Sequence, residues 1–194
     1  MQLIIIDGLD GVGKDTQARL IKKRYEKLGK KVIIRSHPES DNFFGRKAKK
    51  ALMGKGKINK LKASIFYMMD VLRSINKYYR KKDIDTLIMV RYLVGTAYLP
   101  KKLAEIAYNF FKNFVPTSEY MFFLDASPEV LLKRVEKRKE KEMFETFKEF
   151  ENVRKKALHL VRGWFIVDIS GSIDDSFSKI EDILIKLDRN QKVL

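Results

Sequence analysis

The sequence predicts an α/β fold in which a five-stranded parallel sheet is flanked by helices. Short apolar runs alternate with longer stretches of helical periodicity, the pattern of βαβ units wound into one sheet. Those runs are continuously apolar, as strands covered on both faces are. A glycine-rich turn also separates the first run from the first helical stretch, at the place where such folds bind ligands.

Taken in chain order, residues 3–6 form the first strand. Residues 16–28 repeat apolar side chains at helical spacing and stop at Gly29, which suits the left-handed turn that closes a helix. The second strand follows at 32–34, a helix over 59–79, the third strand at 86–90, a helix over 100–114 and the fourth strand at 120–124. Ser127-Pro128-Glu129 opens a further helix, with Ser as cap and Pro in the first turn. A fifth strand at 165–167 and an amphipathic helix over 173–187 complete the order. All five strands are expected to be buried. Residues 54–57 and the charged run 133–142 read as candidate mobile loops. With no internal repeat or long linker, residues 1–194 are expected to form one domain.

Composition removes several function classes. The chain has no cysteine, which excludes a disulfide framework, a thiolate zinc site and a catalytic thiol, and its two histidines argue against structural metal. Apolar runs of four to eight residues fall short of the roughly 20 that cross a bilayer. The start MQLIIID lacks a signal-like basic region, so a soluble, cytoplasmic protein with no membrane partner is expected. The balance of 41 Lys+Arg against 25 Asp+Glu, a net +16, suits polyanionic partners, either nucleic acid or phosphorylated small molecules. Scattered runs such as Lys22-Lys23-Arg24 and Lys47 to Lys50 equally suit solvated helix faces, so nucleic acid is the less favoured partner.

The chemistry begins directly after the first strand. Gly8-Leu9-Asp10-Gly11-Val12-Gly13-Lys14 fits G-x-x-x-x-G-K between a strand and a helix, the context a phosphate-binding loop requires. Glycines let backbone N–H groups turn toward phosphate oxygens, the helix start adds its positive dipole end, and Lys14 supplies a mobile charge. Asp15 stands where a Ser or Thr hydroxyl normally meets Mg²⁺, and Thr16 follows it.

Extended to Ile6-Asp7-Gly8 through Thr16-Gln17, the loop resembles that of the thymidylate kinase family, E-G-x-D-G-x-G-K-[ST]-T-Q. Further along, Arg35-Ser36-His37-Pro38-Glu39 resembles the family's R-x-P-E segment, and Phe66-Tyr67-Met68-Met69-Asp70 its helix bearing an aromatic against the base. Arg91-Tyr92 falls where the family has Asp-Arg-Tyr. Phe123-Leu124-Asp125-Ala126-Ser127-Pro128-Glu129 through Arg134 resembles its fourth strand and lid helix, and FIVDISGSI, residues 165–173, its fifth strand and adenine-side loop. The resemblance covers nearly the whole chain. It implies a P-loop NTPase fold with a helical lid, ATP and Mg²⁺ as donor, thymidylate as acceptor and a homodimer.

Residue by residue, the resemblance assigns the ATP site to Gly8, Asp10, Gly11, Gly13, Lys14, Asp15 and Thr16, with Asp15 and Thr16 at the metal. It makes Lys14, Arg91, Arg134 and Arg138 catalytic. Arg91 leaves the carboxyl end of a strand, and Arg134 and Arg138 lie four apart on one helix, which suits two anions held in line while charge spreads over the transferring group. His37, Glu39, Tyr67, Arg91 and Tyr92 form the acceptor site, Tyr67 stacking on the pyrimidine and Glu39 approaching the acceptor phosphate or its cation. Four positions depart from the family: Asp15; Val90, where it carries an Asp; His37, where an aromatic is common; and Val71, nearest its base-side arginine. Three readings remain at this stage: a thymidylate kinase, a kinase for another nucleoside or nucleotide, and a nucleotide-binding relative with little catalysis.

Overall fold

The structure, a computed structural model, describes residues 1–54, 56–136 and 146–191. Strands β1 (Gln2–Gly8), β2 (Val32–Ser36), β3 (Thr86–Val90), β4 (Tyr120–Asp125) and β5 (Phe165–Asp168) are parallel and lie in the order β2-β3-β1-β4-β5. β1 sits at the centre, and Ile4, Ile5 and Ile6 are fully buried. Each such side chain contributes about 1.5–3 kcal/mol relative to exposure. The expectation that every strand is buried holds for β1 and β3 but not for the edges. Ile33 and Ile34 of β2 are only partly covered, and Ile166 of β5 is exposed, because an edge strand has a neighbour on one side only.

Helices α1 (Lys14–Lys27), α2 (Phe43–Leu52), α3 (Lys57–Tyr78), α4 (Lys101–Phe114), α5 (Pro128–Val135), α6 (Phe147–Leu160) and α7 (Ile173–Gln191) pack around the sheet. Gly29 closes α1 at φ 76°, and the Ser127 hydroxyl accepts from the Val130 amide at the start of α5 with Pro128 in the first turn. Sequence periodicity did not mark α2 or α6. α2 contains Gly45, a poor helix former, whose hydrogen faces the Glu39 carbonyl so closely that a Cβ would lie 1.8 Å from the oxygen. α6 carries a start signal, Thr146 accepting from the Glu149 amide at 3.3 Å. Of the two loop candidates, Gly54 and Gly56 flank the start of α3, whereas Lys55 and 137–142 lie outside the described residues.

The connection leaving β1 runs past β3 to reach β2, and the one leaving β3 runs past β1 to reach β4. A crevice therefore opens at the carboxyl ends of β1 and β3, where open α/β sheets bind ligands. The amino edge is closed instead. Asp188 of α7 accepts there from the hydroxyls of Tyr25 (2.8 Å) and Tyr120 (3.1 Å), the Gln2 amide (3.1 Å) and Arg24 (2.9 Å), tying the last helix to α1, β1 and β4.

Candidate active site

The loop after β1 needs its glycines for geometric reasons. Gly11 and Gly13 have φ 83° and 92°, a left-handed backbone that side chains disfavour, and Gly13 caps α1. A Cβ on Gly8 would lie 2.5 Å from the Leu124 carbonyl oxygen. Inside the loop Lys14 is buried, its Nζ donating to the carbonyls of Gly8 (2.8 Å) and Leu9 (2.6 Å), with Asp10 3.9 Å away. Burial, joined by the nearby Arg91 charge, pushes the ammonium down to about 8. A phosphate would relieve that cost, so the loop is electrostatically prepared for an anion.

The loop after β3 is built from the other side. Asp7, buried at the end of β1, accepts from the amides of Tyr92 (2.9 Å), Leu93 (2.8 Å) and Val94 (3.1 Å). Burial raises its pKa, and the three amides and Lys14 oppose that shift. This carboxylate fixes the backbone that presents Arg91. Arg91 has φ 55°, unusual without glycine, and is held there by its amide on the Ile6 carbonyl at 3.1 Å and by the Tyr67 hydroxyl, which donates to its carbonyl. A residue in such a conformation costs on the order of 1 kcal/mol and persists only where its surroundings impose it. The guanidinium reaches Asp15 at 3.1 Å, the Ser36 hydroxyl at 3.2 Å and Asp10 at 3.7 Å. Asp15 also accepts from Ser36. Burial disfavours the Asp15 charge, but Arg91, Ser36 and Lys14 outweigh it and hold the carboxyl below its usual range.

These groups face a cavity of about 720 Å³, within the size range of small-molecule sites, walled by His37, Tyr67, Val71, Arg91 and Phe111 among others. Lys49 and Lys50 of α2 also line it. Asp15, Glu39, Tyr67, His37 and Arg91 are thus brought together as the sequence suggested. Some details differ. Glu39 turns back to accept from the Ser36 amide at 2.8 Å beside Arg35 at 3.6 Å. Tyr92 contributes to the wall yet is core, 2% exposed, its hydroxyl donating to the Pro116 carbonyl. Thr16 lies in the first turn of α1, its amide on the Gly13 carbonyl. Arg134 does not line the cavity. It sits beside Gly11 and donates to the Ile169 carbonyl at 3.0 Å, on the β5 side of the loop. Arg138 lies outside the described residues.

Four contributors went unassigned in the sequence. Asp7 and Ser36 were inside the recognised motifs, but what they hold comes from the loop after β3, far along the chain. Asp70 of α3 pairs with His37, and Tyr98 donates to Asp10 at 2.8 Å. No local pattern marks either pairing.

A lysine-bearing glycine loop on the central strand of a five-stranded parallel sheet, with an arginine held against Asp10 of that loop and Asp15 beside a nucleotide-sized cavity, defines the P-loop class of nucleotide-binding phosphotransferases. Residues 6–180 match the family model described as thymidylate kinase, and the chain belongs to the thymidylate kinase family. It is 30% identical to the thymidylate kinase of Thermosipho melanesiensis over 93% of this chain and 96% of the relative. The thymidylate kinase of Leptospira borgpetersenii is likewise 30% identical, over 78% of this chain and 77% of its own. The solved structure of thymidylate kinase from Candida albicans superposes with a TM-score of 0.74 over 97% of this chain and 92% of that one, at 19% identity, which establishes the fold.

Proposed function

We propose that this protein transfers the γ-phosphoryl group of ATP to thymidylate, forming dTDP. The observation that carries this reading is Arg91, held in a left-handed backbone where the glycine loop meets the cavity, from where it would touch phosphates on both sides. Phosphoryl transfer needs two anions positioned and their charge neutralised, with little covalent help. Lys14 follows the donor phosphates. Arg91 holds the acceptor phosphate against them, and Tyr67, packed on Gly95, forms a wall for the pyrimidine. Asp15 takes over, from the other side of Arg91, the carboxylate role that the family places at the position of Val90, whose side chain is buried. Arg134 steadies the loop from the β5 side, and Arg138 would act from the lid.

Magnesium fits this site in the form that nucleotides carry it. Among the described residues no cluster of three or more His or acidic side chains could hold the ion alone, so the protein would hold it together with nucleotide phosphates. Asp15, its side chain 40% exposed and held ionised, and Thr16 at the helix start are the residues that would hold it. When bound with ATP, the ion neutralises phosphate charge.

The chain is read as one domain over residues 1–194, since the described residues share one sheet and one core. We place it in the cytoplasm; no described helix is long and apolar enough to cross a membrane. It is further read as a homodimer. Ile58, Leu61, Ile65, Met69 and Leu72 form an exposed apolar stripe along α3, and such a stripe suits a partner. Small-molecule nucleotides remain the favoured partners over nucleic acid. The test is a phosphate-transfer screen with MgATP against the common nucleoside monophosphates and deoxynucleosides. Thymidylate should be the best acceptor, and preference for a purine monophosphate defeats the proposal.

A further inference from the structure

One buried pair, a residue of the cavity wall and the carboxylate bonded to it, is not used by the phosphate chemistry. His37 and Asp70 are both wholly excluded from solvent, with the imidazole Nδ1 2.8 Å from a carboxylate oxygen of Asp70. Asp70 also accepts from the Glu39 amide at 2.8 Å and the Asn42 side-chain amide at 2.6 Å. Burial alone would raise its pKa, but the bonds from His37, Glu39 and Asn42 hold it below the ordinary carboxylate value. An ionised carboxylate only accepts hydrogen bonds, so Nδ1 carries the proton. In the neutral imidazole this leaves a lone pair on Nε2. Nε2 is buried and has no hydrogen-bond partner. His37 is among the residues that wall the cavity, and its ring stands edge-on to that of Tyr67, another wall residue, with centroids 6.4 Å apart. A buried acceptor without a donor is costly, and any ligand that brings an N–H removes that cost.

We propose that Nε2 of His37 reads the acceptor base by accepting a hydrogen bond from the ring N3–H of a 4-oxopyrimidine, with Asp70 as the positioning residue that fixes the imidazole tautomer. The inference rests on the reading that the acceptor nucleotide occupies this cavity. Thymine and uracil both offer that N–H. Cytosine presents a lone pair at N3 and would set acceptor against acceptor. A site built around a hydrogen bond rejects the analogue that lacks the donor far more strongly than an apolar wall rejects a change of size. Val71, the apolar neighbour of Asp70, supplies no competing polar group to the wall.

The test titrates the full chain calorimetrically with dTMP, with dCMP and N3-methyl-dTMP as analogues and dUMP as a control, and turnover is measured in parallel. The unmutated protein should bind dTMP about 10–100-fold more tightly than either analogue. His37→Phe keeps an aromatic ring and removes the lone pair. It should weaken dTMP by a similar factor, leave dCMP within about threefold, and raise KM with kcat largely retained. Asp70→Asn, which no longer enforces the tautomer, should reduce the dTMP/dCMP ratio in the same direction, while the dTMP/dUMP ratio stays constant in every variant. Equal affinity of the unmutated protein for dTMP and N3-methyl-dTMP overturns the proposal and needs no variant to fold. An unchanged dTMP/dCMP ratio in a folded His37→Phe overturns it too. Binding of dTMP that depends on His37 without phosphorylation supports the pair and defeats the kinase reading; efficient phosphorylation with an unchanged ratio does the reverse.

Discussion

At the amino edge of the sheet, Asp188 spends both oxygens on Tyr25, Tyr120, Gln2 and Arg24, whereas at the carboxyl edge Asp15 and Asp10 share Arg91 beside a cavity. The side-chain types are alike, acidic groups meeting an arginine and tyrosine hydroxyls. Their surroundings differ. The first cluster closes over itself and joins elements that are distant in sequence, so its energy goes into folding. The second leaves Lys14 buried with a depressed pKa and Arg91 in an unusual backbone conformation, so part of its energy is held until phosphate arrives.

The sharpest way to break this contrast is Lys14→Ala. Removing the charge inside the glycine loop should lower turnover by about 10²–10³-fold, the effect of deleting one preorganised electrostatic partner, without loss of thermal stability. An unchanged kinase rate would remove the loop from the mechanism. Next in size is Asp188→Ala, which removes the acceptor that three donors and an arginine share. Urea unfolding should show a loss of about 2–3 kcal/mol, while kcat and KM change by less than about twofold. A large catalytic defect in a folded Asp188→Ala protein would mean that the two edges are coupled.

Asp15→Ser tests whether Asp15 serves Arg91 or the metal. The pair is partly exposed and Arg91 keeps Asp10, so about 1 kcal/mol is at stake, a rise of roughly fivefold in KM for thymidylate. A shifted Mg²⁺ requirement with unchanged KM would instead give Asp15 to the ion.

The smallest effect is the response to alkaline pH, which has opposite signs for Lys14 and for the tyrosines bonded to Asp188. Lys14 falls to about 8 in the folded chain from an ordinary 10.5, so the unfolded state binds more protons between those values and this group's contribution to stability rises with pH across that window. The same deprotonation strips charge from the glycine loop, and kcat/KM for ATP should fall as pH passes about 8. Burial and Asp188 push Tyr120 up to about 12 from 10.0, and burial and Asp188 raise Tyr25 as well. The folded state keeps those protons longer than the unfolded one, so stability from the amino edge is lost as pH rises above 10.0. Asp188→Ala should flatten that alkaline loss in unfolding curves measured against pH, and a slope unchanged from the parent would separate the tyrosines from Asp188.

Sequence alone determined the features that local chemistry dictates. Continuous apolar runs located all five strands, Gly29 and Ser127-Pro128 marked helix ends, and Gly8 to Lys14 identified the phosphate loop, because each rule acts within a few residues. It also placed Arg91, Tyr67 and His37 at one site. Only the tertiary structure decided how they are used. α2 forms despite Gly45 because Glu39 needs the space of a missing Cβ, and Arg91 adopts φ 55° because Asp7, Ile6 and Tyr67 hold the chain around it. Arg134, one residue of a charged helix in sequence, is drawn to the Ile169 carbonyl rather than into the cavity. His37 finds Asp70 33 positions away, and Tyr25 finds Asp188 across 163. A hydrogen bond depends on angle and distance between atoms whose separation along the chain carries no signal, so these partnerships exist only once the sheet and its helices have brought them together.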